Sequence, residues 1–279
     1  MNLYALLKNN DINRVQLSDE LQNDLNDYFD GTIITFTSKT EIQFNGEYKP
    51  EDNQILTITD YDLPFSIDFN NPLKIERLTN DKIESIKGLI VNNNDFVLFQ
   101  TFDNRKIIKP EKWHLIYSSN TFSKIENKGI TIEQKIDVLY KIHEKKLLFF
   151  SYHNASKIFD LSDYYRGATN NEINNFLNND LFSTSEININ LFNSRLRKKV
   201  FQIEKNKVLE KVANKIEEIK NYANSIGIQL NLDSSNKIVF PSDKKEIEQF
   251  IYFLNDDLYK SPITEFCYET NSKRKINME

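Results

Sequence analysis

Apolar residues recur with two different periods along the chain, and the change between them divides it into two parts. The first part has short apolar runs separated by turn residues, as in "IKGLIV", "DFVLFQTF" and "WHLIYS", which is typical of β-strands. "LYALLK" predicts a further buried strand, and "IDVLYKIHEKKLLFFSY" predicts a hairpin that turns near residues 143–145. We therefore expect a mostly β first domain over residues 1–152.

The segment after residue 17 combines a helix with strands. Ser18 is a candidate N-cap, and Leu21, Leu25 and Phe29 follow it at helical spacing. "GTIITFTS" is rich in β-branched residues and predicts a strand directly after that helix. The dipeptide Asn45-Gly46 favours the backbone angles of a two-residue connection, so "EIQFNGEY" predicts a hairpin turn.

Helical spacing dominates after residue 152. Thr169 and Glu172 have the T-x-x-E spacing of a capping box. "NLFNSRLRKKVFQIEKN" predicts one helix, and "KVLEKVANKIEEIKNYANSIG" predicts a second long helix that ends at Gly227. We expect short strands at "IQLNL" and "KIVF", a helix at "DKKEIEQFIYFLND", and a final strand or tail at "EFCYETNSKRKI". The predicted fold class is α+β, with a second, helix-rich α+β domain over residues 153–279.

Charge is distributed unevenly between the two parts. The chain of 279 residues has a formal net charge of −5, yet residues 1–100 alone carry 8 basic and 17 acidic side chains, and residues 101–279 have a net charge of +4. The acidic first domain and the basic second domain are therefore expected to face different partners, although solubility alone also explains an acidic surface.

Few residues offer chemistry for a catalytic or metal site. Cys267 is the single cysteine, which excludes an internal disulfide and favours a buried thiol between aromatic neighbours. His114, His143 and His153 do not have metal-ligand spacing, and no phosphate-binding loop, dinucleotide fingerprint or nucleophile elbow occurs. The N-terminus shows no basic region followed by an apolar run, so we expect no signal peptide. We expect no cofactor, no metal and no enzymatic activity.

The segment "NSRLRKKVFQIEKNK" contains six basic residues and one acidic residue. On a helix its apolar positions would face the core, and its cations would lie on the flanks and the outer side. In the next predicted helix Lys207, Lys211 and Lys215 recur every four residues and form one stripe. Such a surface suits phosphate contacts, but a solvated helix face with its own ion pairs explains it as well. The candidate nucleic-acid-binding residues are Arg195, Arg197, Lys198, Lys199, Lys207 and Lys211, followed by Lys273, Arg274 and Lys275.

Four stretches, spread from about residue 40 to the end, resemble the KwaB family, the soluble component of the bacterial Kiwa anti-phage defence system. They are "IQFNGEYKPEDNQILTITDYDLP", "GLIVNNNDFVLFQTFDNRKIIKP", "LLFFSYHNASKIFDLSDYYRGATNNEINNFL" and "FLNDDLYKSPITEFCYETNSKRKI". The resemblance rests on pattern, since no catalytic signature is involved.

The resemblance implies a cytoplasmic effector that works with a small membrane-spanning sensor protein, KwaA, which could recruit it to the inner face of the cell membrane. It implies binding of double-stranded phage DNA, which blocks replication and later expression, and self-association as a homodimer or higher oligomer. Two alternatives stay open. The protein could be a metal-dependent nuclease assembled from scattered acids and lysines, or a module whose basic helices dock on a protein or on anionic lipid.

Overall fold

Strands are concentrated in the N-terminal half and helices in the C-terminal half, so the predicted α+β class is confirmed. The computed structural model describes residues 1–65, 71–92, 95–185 and 187–274. Contacts divide the chain into two units, the first made of residues 1–44 and 50–160 and the second of residues 45–49 and 161 onward. The division into independent domains at residues 152 and 153 stays a prediction.

The first unit is built on an eight-stranded sheet with the order β2-β1-β5-β6-β11-β12-β4-β3. Every neighbouring pair is antiparallel except β3 and β4, which run parallel. The strands are β1 (Asn2–Leu7), β2 (Ile12–Arg14), β3 (Thr40–Gln43), β4 (Gln54–Ile58), β5 (Ile86–Asn92), β6 (Phe96–Thr101), β11 (Val138–Lys141) and β12 (Lys146–Phe149).

Both faces of this sheet are covered. Helix α1 (Asp19–Thr37) packs Leu25, Phe29 and Phe36 into the core cluster that contains Leu3 and Leu139. On the other face, residues such as Phe99 and Phe149 are also buried, and the ring of Phe99 lies 4.9 Å from that of Phe159, just after α2 (Tyr152–Ile158). Burial on both faces explains why these strands are continuous apolar runs instead of alternating patterns.

Two predictions for residues 31–46 are wrong. "GTIITFTS" is not a strand, because α1 continues through it to Thr37. Phe36 lies two helical turns beyond Phe29 and keeps the same buried face, so packing overrides the β propensity of the intervening residues. Asn45-Gly46 does not join antiparallel strands, since β3 is parallel to β4. By contrast, Ser18 is the N-cap of α1, and the predicted hairpin forms from β11 and β12, with Lys145 at a positive φ of 49°.

The remaining elements of the first unit are short. Two small ladders pair β7 (Ile107–Ile108) with β10 (Gly129–Ile130) and β8 (Leu115–Ser118) with β9 (Thr121–Lys124). Three 3₁₀ helices span Pro72–Lys74, Asn80–Ser85 and Asn104–Lys106. "WHLIYS" thus forms a strand as predicted, although its strand residues are exposed and not buried.

In the described part of the second unit, five helices pack with four short strands. The helices are α3 (Asn170–Leu177), α4 (Ser194–Lys205), α5 (Val208–Ala213), α6 (Ile216–Ser225) and α7 (Lys244–Leu254), with a 3₁₀ helix at Ile189–Leu191. β13 (Phe182–Ser183) pairs in parallel with β14 (Ile238–Val239), and β15 (Leu258–Lys260) pairs antiparallel with β16 (Cys267–Glu269). Phe192, Leu196, Val200 and Ile203 are all buried in one core, as the helical spacing predicts.

The second long helix is broken into α5 and α6. Lys207 precedes α5 in the left-handed region with φ of 51°, and Lys215 lies between the two helices with non-helical angles. Asn206 and Asn214 end the preceding helices, and asparagine is tolerant of such junctions. The prediction of one continuous lysine stripe through Lys207, Lys211 and Lys215 is therefore wrong. "IQLNL" is not a strand either, since only Leu232 makes a single bridge, with Ile238.

The capping box at the start of α3 is confirmed. Thr169 accepts a hydrogen bond from the Glu172 backbone N–H, and the Glu172 carboxylate accepts from the Thr169 N–H at 2.7 Å. Arg166 donates two further bonds to the same carboxylate, at 2.6 and 2.7 Å. Arg166 is the main cause, ahead of the backbone bond, of a lowered pKa of Glu172, from 4.5 to about 2.

We expect Glu172→Gln to lower the free energy of unfolding by about 1 kcal/mol at neutral pH, because it removes one cap and one ion pair. A carboxyl with a lowered folded-state pKa contributes stability above its unfolded pKa, so the difference from the wild type should narrow as the pH falls from 4.5 toward 2. Urea denaturation across that pH range measures the difference in the free energy of unfolding. The exposed Glu126→Gln variant is the control. A difference that does not change with pH would contradict this assignment.

Candidate nucleic-acid interface

The second unit contains a short loop, residues 45–49, that comes from between β3 and β4. Asn45 shapes it, because its side-chain oxygen accepts from the backbone N–H groups of Glu47 and Tyr48, both at 2.9 Å. Gly46 has a φ of +89°, and a Cβ there would collide with the ring of Tyr165. Only glycine fits this backbone and lets the Tyr165 ring pack so closely. The loop therefore depends on its Asn-Gly pair, although that pair does not make a hairpin.

A buried charge cluster holds this loop against the C-terminal segment. Asp257, which is 2% exposed, accepts from Lys199 and from Lys273, the latter at 2.8 Å. Lys273 also pairs with Glu47 at 3.3 Å, and the Asn255 amide donates to Glu47 at 2.6 Å. Two ammonium groups and two carboxylates thus form one cluster that is largely shielded from water. Such groups are stable there only because every charge has a partner.

Backbone contacts extend the same connection. The Asn45 amide donates to the carbonyl of Lys273 at 2.8 Å, and the Lys49 N–H donates to the Ser272 hydroxyl at 3.0 Å. The C-terminal residues up to 274 are therefore docked on the loop and not frayed, which places the cations at this end of the chain.

Besides Lys199 of the buried cluster, whose ammonium lies 4.6 Å from the centre of the Tyr252 ring, three cations of this region are held over tyrosine rings. The guanidinium of Arg195 lies 4.7 Å from the centre of the Tyr252 ring, the ammonium of Lys198 lies 5.2 Å from that of Tyr165, and Arg274 lies 5.2 Å from that of Tyr48. Cation–π contact restricts each long side chain while leaving its polar hydrogens able to reach a ligand. Of the three, Arg195 also donates to Glu269 and Asn271, at 2.8 and 2.9 Å.

Tyr252 stays neutral beneath Arg195. Burial, followed by a hydrogen bond to Glu248, raises the pKa of Tyr252 to about 12. Its ring therefore presents an uncharged π face to the guanidinium throughout the physiological range, while Arg195 also pairs with Glu269 at 2.8 Å.

The other predicted cations have different surroundings. Lys199 is only 7% exposed, because its ammonium is used by Asp257 inside the cluster. Arg197 donates to the carbonyls of Phe192 and Ala168 and to the side chain of Asn170, so it ties α4 to the start of α3. Lys273 is bound to Glu47 and Asp257. These three side chains thus have partners within the unit, and their contact with DNA stays a prediction.

Lys207 is exposed on the turn between α4 and α5, and Lys211 is exposed near the end of α5. The Lys207 ammonium is 3.8 Å from Glu210, and Lys211 donates to the Asn206 carbonyl at 3.0 Å. Lys275 lies outside the described residues. Among the predicted cations, Arg195, Lys198 and Arg274 are thus brought together around residues 45–49 and 269–274, joined to the buried cluster by Lys273.

The partners that organise this site are not predicted from the sequence: Glu47, Tyr48, Tyr165, Tyr252 and Asp257. They are far apart along the chain, so no local spacing reveals them. One signal was present, because Glu47, Asp257 and Lys273 belong to two of the stretches that carry the family resemblance.

Neither metal nor thiol chemistry is apparent among the described residues. In residues 1–65, 71–92, 95–185 and 187–274, no three histidine, cysteine or acidic side chains come together in a way that could hold a metal ion. Cys267 is exposed, so the expectation of a buried thiol is wrong, because β16 lies at the surface of the unit. Within the same ranges no helix has both the length and the apolar composition needed to cross a bilayer.

Comparison with known proteins gives one match. The sequence model described as "Kiwa protein KwaB-like" matches residues 82–264, which is more than half of the chain. No curated protein and no solved structure matches it.

Proposed function

We propose a function from one established premise: the chain belongs to the Kiwa protein KwaB-like family. It is therefore a component of a Kiwa defence system, and a partner protein such as KwaA is in keeping with that membership. The function that we propose is binding of double-stranded DNA through its phosphates, without sequence specificity and without catalysis. By occupying phage DNA, in concert with the membrane sensor KwaA, the protein would block replication and expression in the cytoplasm. We propose self-association as well.

The observation that carries this proposal is the group of three cations, Arg195, Lys198 and Arg274, held over tyrosine rings around residues 45–49 and 269–274. A cation that is already restrained loses less entropy when it binds a phosphate. Phosphate contacts carry no sequence information by themselves, and neutralising each phosphate releases condensed counterions. The net charge of +4 over residues 101–279 favours the same ligand.

Salt-dependent binding of duplex DNA tests the proposal. In a gel-shift titration, two unrelated duplexes should bind with similar affinity, and binding should weaken by about 0.9 log units per log unit of salt for each phosphate contact. Footprinting should find no preferred site. An affinity that is the same at low and physiological salt, or a footprint on one sequence, would contradict the proposal.

The same titration with Mg²⁺ separates binding from cleavage. Intact DNA at the end of the incubation is expected, with the same shift in the presence and absence of the metal. Degradation that requires Mg²⁺ would favour the nuclease alternative. If the mobility of the DNA does not change at all, the cations of the second unit would be assigned to a protein or lipid ligand.

A further inference from the structure

Residues 109–128 form an arm that extends from a narrow base in the first unit. The base is the short ladder between β7 and β10, where Ile107 is opposite Ile130. Lys109 and Lys128 stand at the two ends of the arm, and both ammonium groups contact the Glu84 carboxylate, at 3.0 and 3.7 Å. These ion pairs, Lys109 first, lower the pKa of Glu84. The arm is thus anchored at both ends by one acidic side chain.

Beyond this base, the arm is exposed. Every residue of β8 and β9 is exposed, so this hairpin adds no core to the unit. Its register pairs Leu115 with Lys124 and Tyr117 with Phe122. Residues directly opposite each other in an antiparallel ladder point to the same face, so all four side chains share one face. We call it the aromatic face.

The aromatic face is unusually apolar for a surface. Tyr117 is 59% and Phe122 65% exposed, and their ring centres are 4.9 Å apart. Trp113, just before β8, is 82% exposed. A two-stranded hairpin in water is marginally stable, and a contiguous exposed aromatic patch marks an interaction site. The arm therefore has the composition of a surface that is covered when the protein works.

Charge narrows the choice of what covers it. Residues 112–125 contain Lys112, Lys124 and His114, with Glu111 and Glu126 on either side, and residues 109–128 as a whole carry four lysines and two glutamates. Lys124 lies on the aromatic face itself. A surface with negative charges above a hydrocarbon layer would match both the lysine and the apolar side chains of this face.

We propose that the aromatic face of the arm docks on the surface of an anionic phospholipid bilayer. Tryptophan and tyrosine are favoured at the boundary between headgroups and hydrocarbon, and lysines beside them bind lipid phosphates. The turn residues Ser119 and Asn120, both with positive φ, give the arm a polar tip. A polar tip opposes end-on insertion, so the arm would lie along the interface with Leu115, Tyr117 and Phe122 facing the acyl chains.

Two other ligands fit less well. Single-stranded nucleic acid would stack its bases on the rings, but the rings of Tyr117 and Phe122 are inclined by 50° and cover each other, and Leu115 would gain nothing. The same face of a second copy would bring the two Lys124 side chains onto a surface whose other strand residues, Leu115, Tyr117 and Phe122, carry no negative charge.

Trp113 gives the experiment an internal probe, since it is the single tryptophan of the chain. The full-length protein is mixed with vesicles of phosphatidylcholine alone or of phosphatidylcholine with phosphatidylglycerol, and flotation and Trp113 emission are recorded. We expect flotation with the anionic vesicles, together with a blue shift of the emission and quenching by brominated lipid. Raising the salt should weaken the flotation.

Three variants test the orientation. Tyr117→Ser with Phe122→Ser should lower vesicle binding by at least about tenfold, since binding follows the apolar area buried. Lys112→Gln with Lys124→Gln should lower it by about fivefold per lysine. Ile116→Ser changes the opposite face of the hairpin and should leave binding unchanged. All three change exposed residues, so unaltered melting temperatures establish that they fold.

Each remaining outcome overturns the proposal. No flotation with either vesicle shows that the arm does not bind lipid. Flotation with an unshifted Trp113 spectrum, or equal loss in the Ile116→Ser variant, assigns membrane binding to another surface. A blue shift without vesicles, on addition of single-stranded DNA or on raising the protein concentration, assigns the arm to nucleic acid or to a second copy.

Discussion

Replacing Asp257 by asparagine should lower the free energy of unfolding by about 3 kcal/mol or more, the typical cost of breaking a buried ion pair. Asparagine keeps the shape of the side chain but removes the negative charge that Lys199 and Lys273 share. Lys273 keeps Glu47, whereas the ammonium of Lys199 is left buried without an anion. Urea denaturation at neutral pH measures the change.

The neighbouring residue offers a matched control. Asp256 is exposed, and asparagine tolerates its positive φ of 55°, so Asp256→Asn should change the free energy of unfolding by less than about 0.5 kcal/mol. Adding Lys199→Met to the Asp257→Asn variant should recover part of the stability, because no unpaired ammonium then remains. Equal effects of the two asparagine variants would mean that the charge cluster does not stabilise the unit.

Reversing two cations of the proposed DNA surface should have the largest effect on binding. Lys198→Glu with Arg274→Glu is expected to weaken duplex binding on the order of a hundredfold and to reduce the salt slope by about two, roughly one for each phosphate that is no longer neutralised. Both side chains rest on tyrosine rings instead of on acidic residues, so reversal breaks no ion pair of the buried cluster. Titrations at several salt concentrations give both quantities.

A variant with the same net charge separates local contacts from general electrostatics. Lys74→Glu with Lys157→Glu changes two exposed lysines of the first unit by the same total charge. It should retain most of the affinity and the whole salt slope. An equal loss in both double variants would place DNA binding outside the surface around residues 45–49.

Local patterns predicted the elements whose stability is local. The capping box at Thr169 and Glu172 and the β11–β12 hairpin both follow from contacts within a few residues of each other, whereas the buried face of α4 was predicted from its apolar spacing. The same patterns failed where tertiary packing decides. Residues 31–37 have β propensity, yet the apolar positions that continue from Phe29 to Phe36 keep them helical.

The candidate site was predictable only in part. The basic run identified α4 as the source of cations, but charge alone did not separate Lys198 from Lys199, which is buried and paired with Asp257. That distinction depends on Asp257 and Tyr165, which are too far from these lysines along the chain for a local pattern to identify them. Likewise, Asn45-Gly46 indicates a turn, whereas its contacts with the C-terminal residues depend on the rest of the fold.

The loop of residues 45–49 has a consequence for the order of synthesis. A ribosome makes the chain from the N-terminus, and domains generally fold as they emerge. The second unit cannot be completed in that way. The partners of Glu47, Asn255 and Lys273, are synthesised more than two hundred residues after it. A chain that terminates before residue 255 leaves Glu47 without Asn255 and Lys273. The proposed DNA surface is thus assembled last, when nearly the whole chain has been translated.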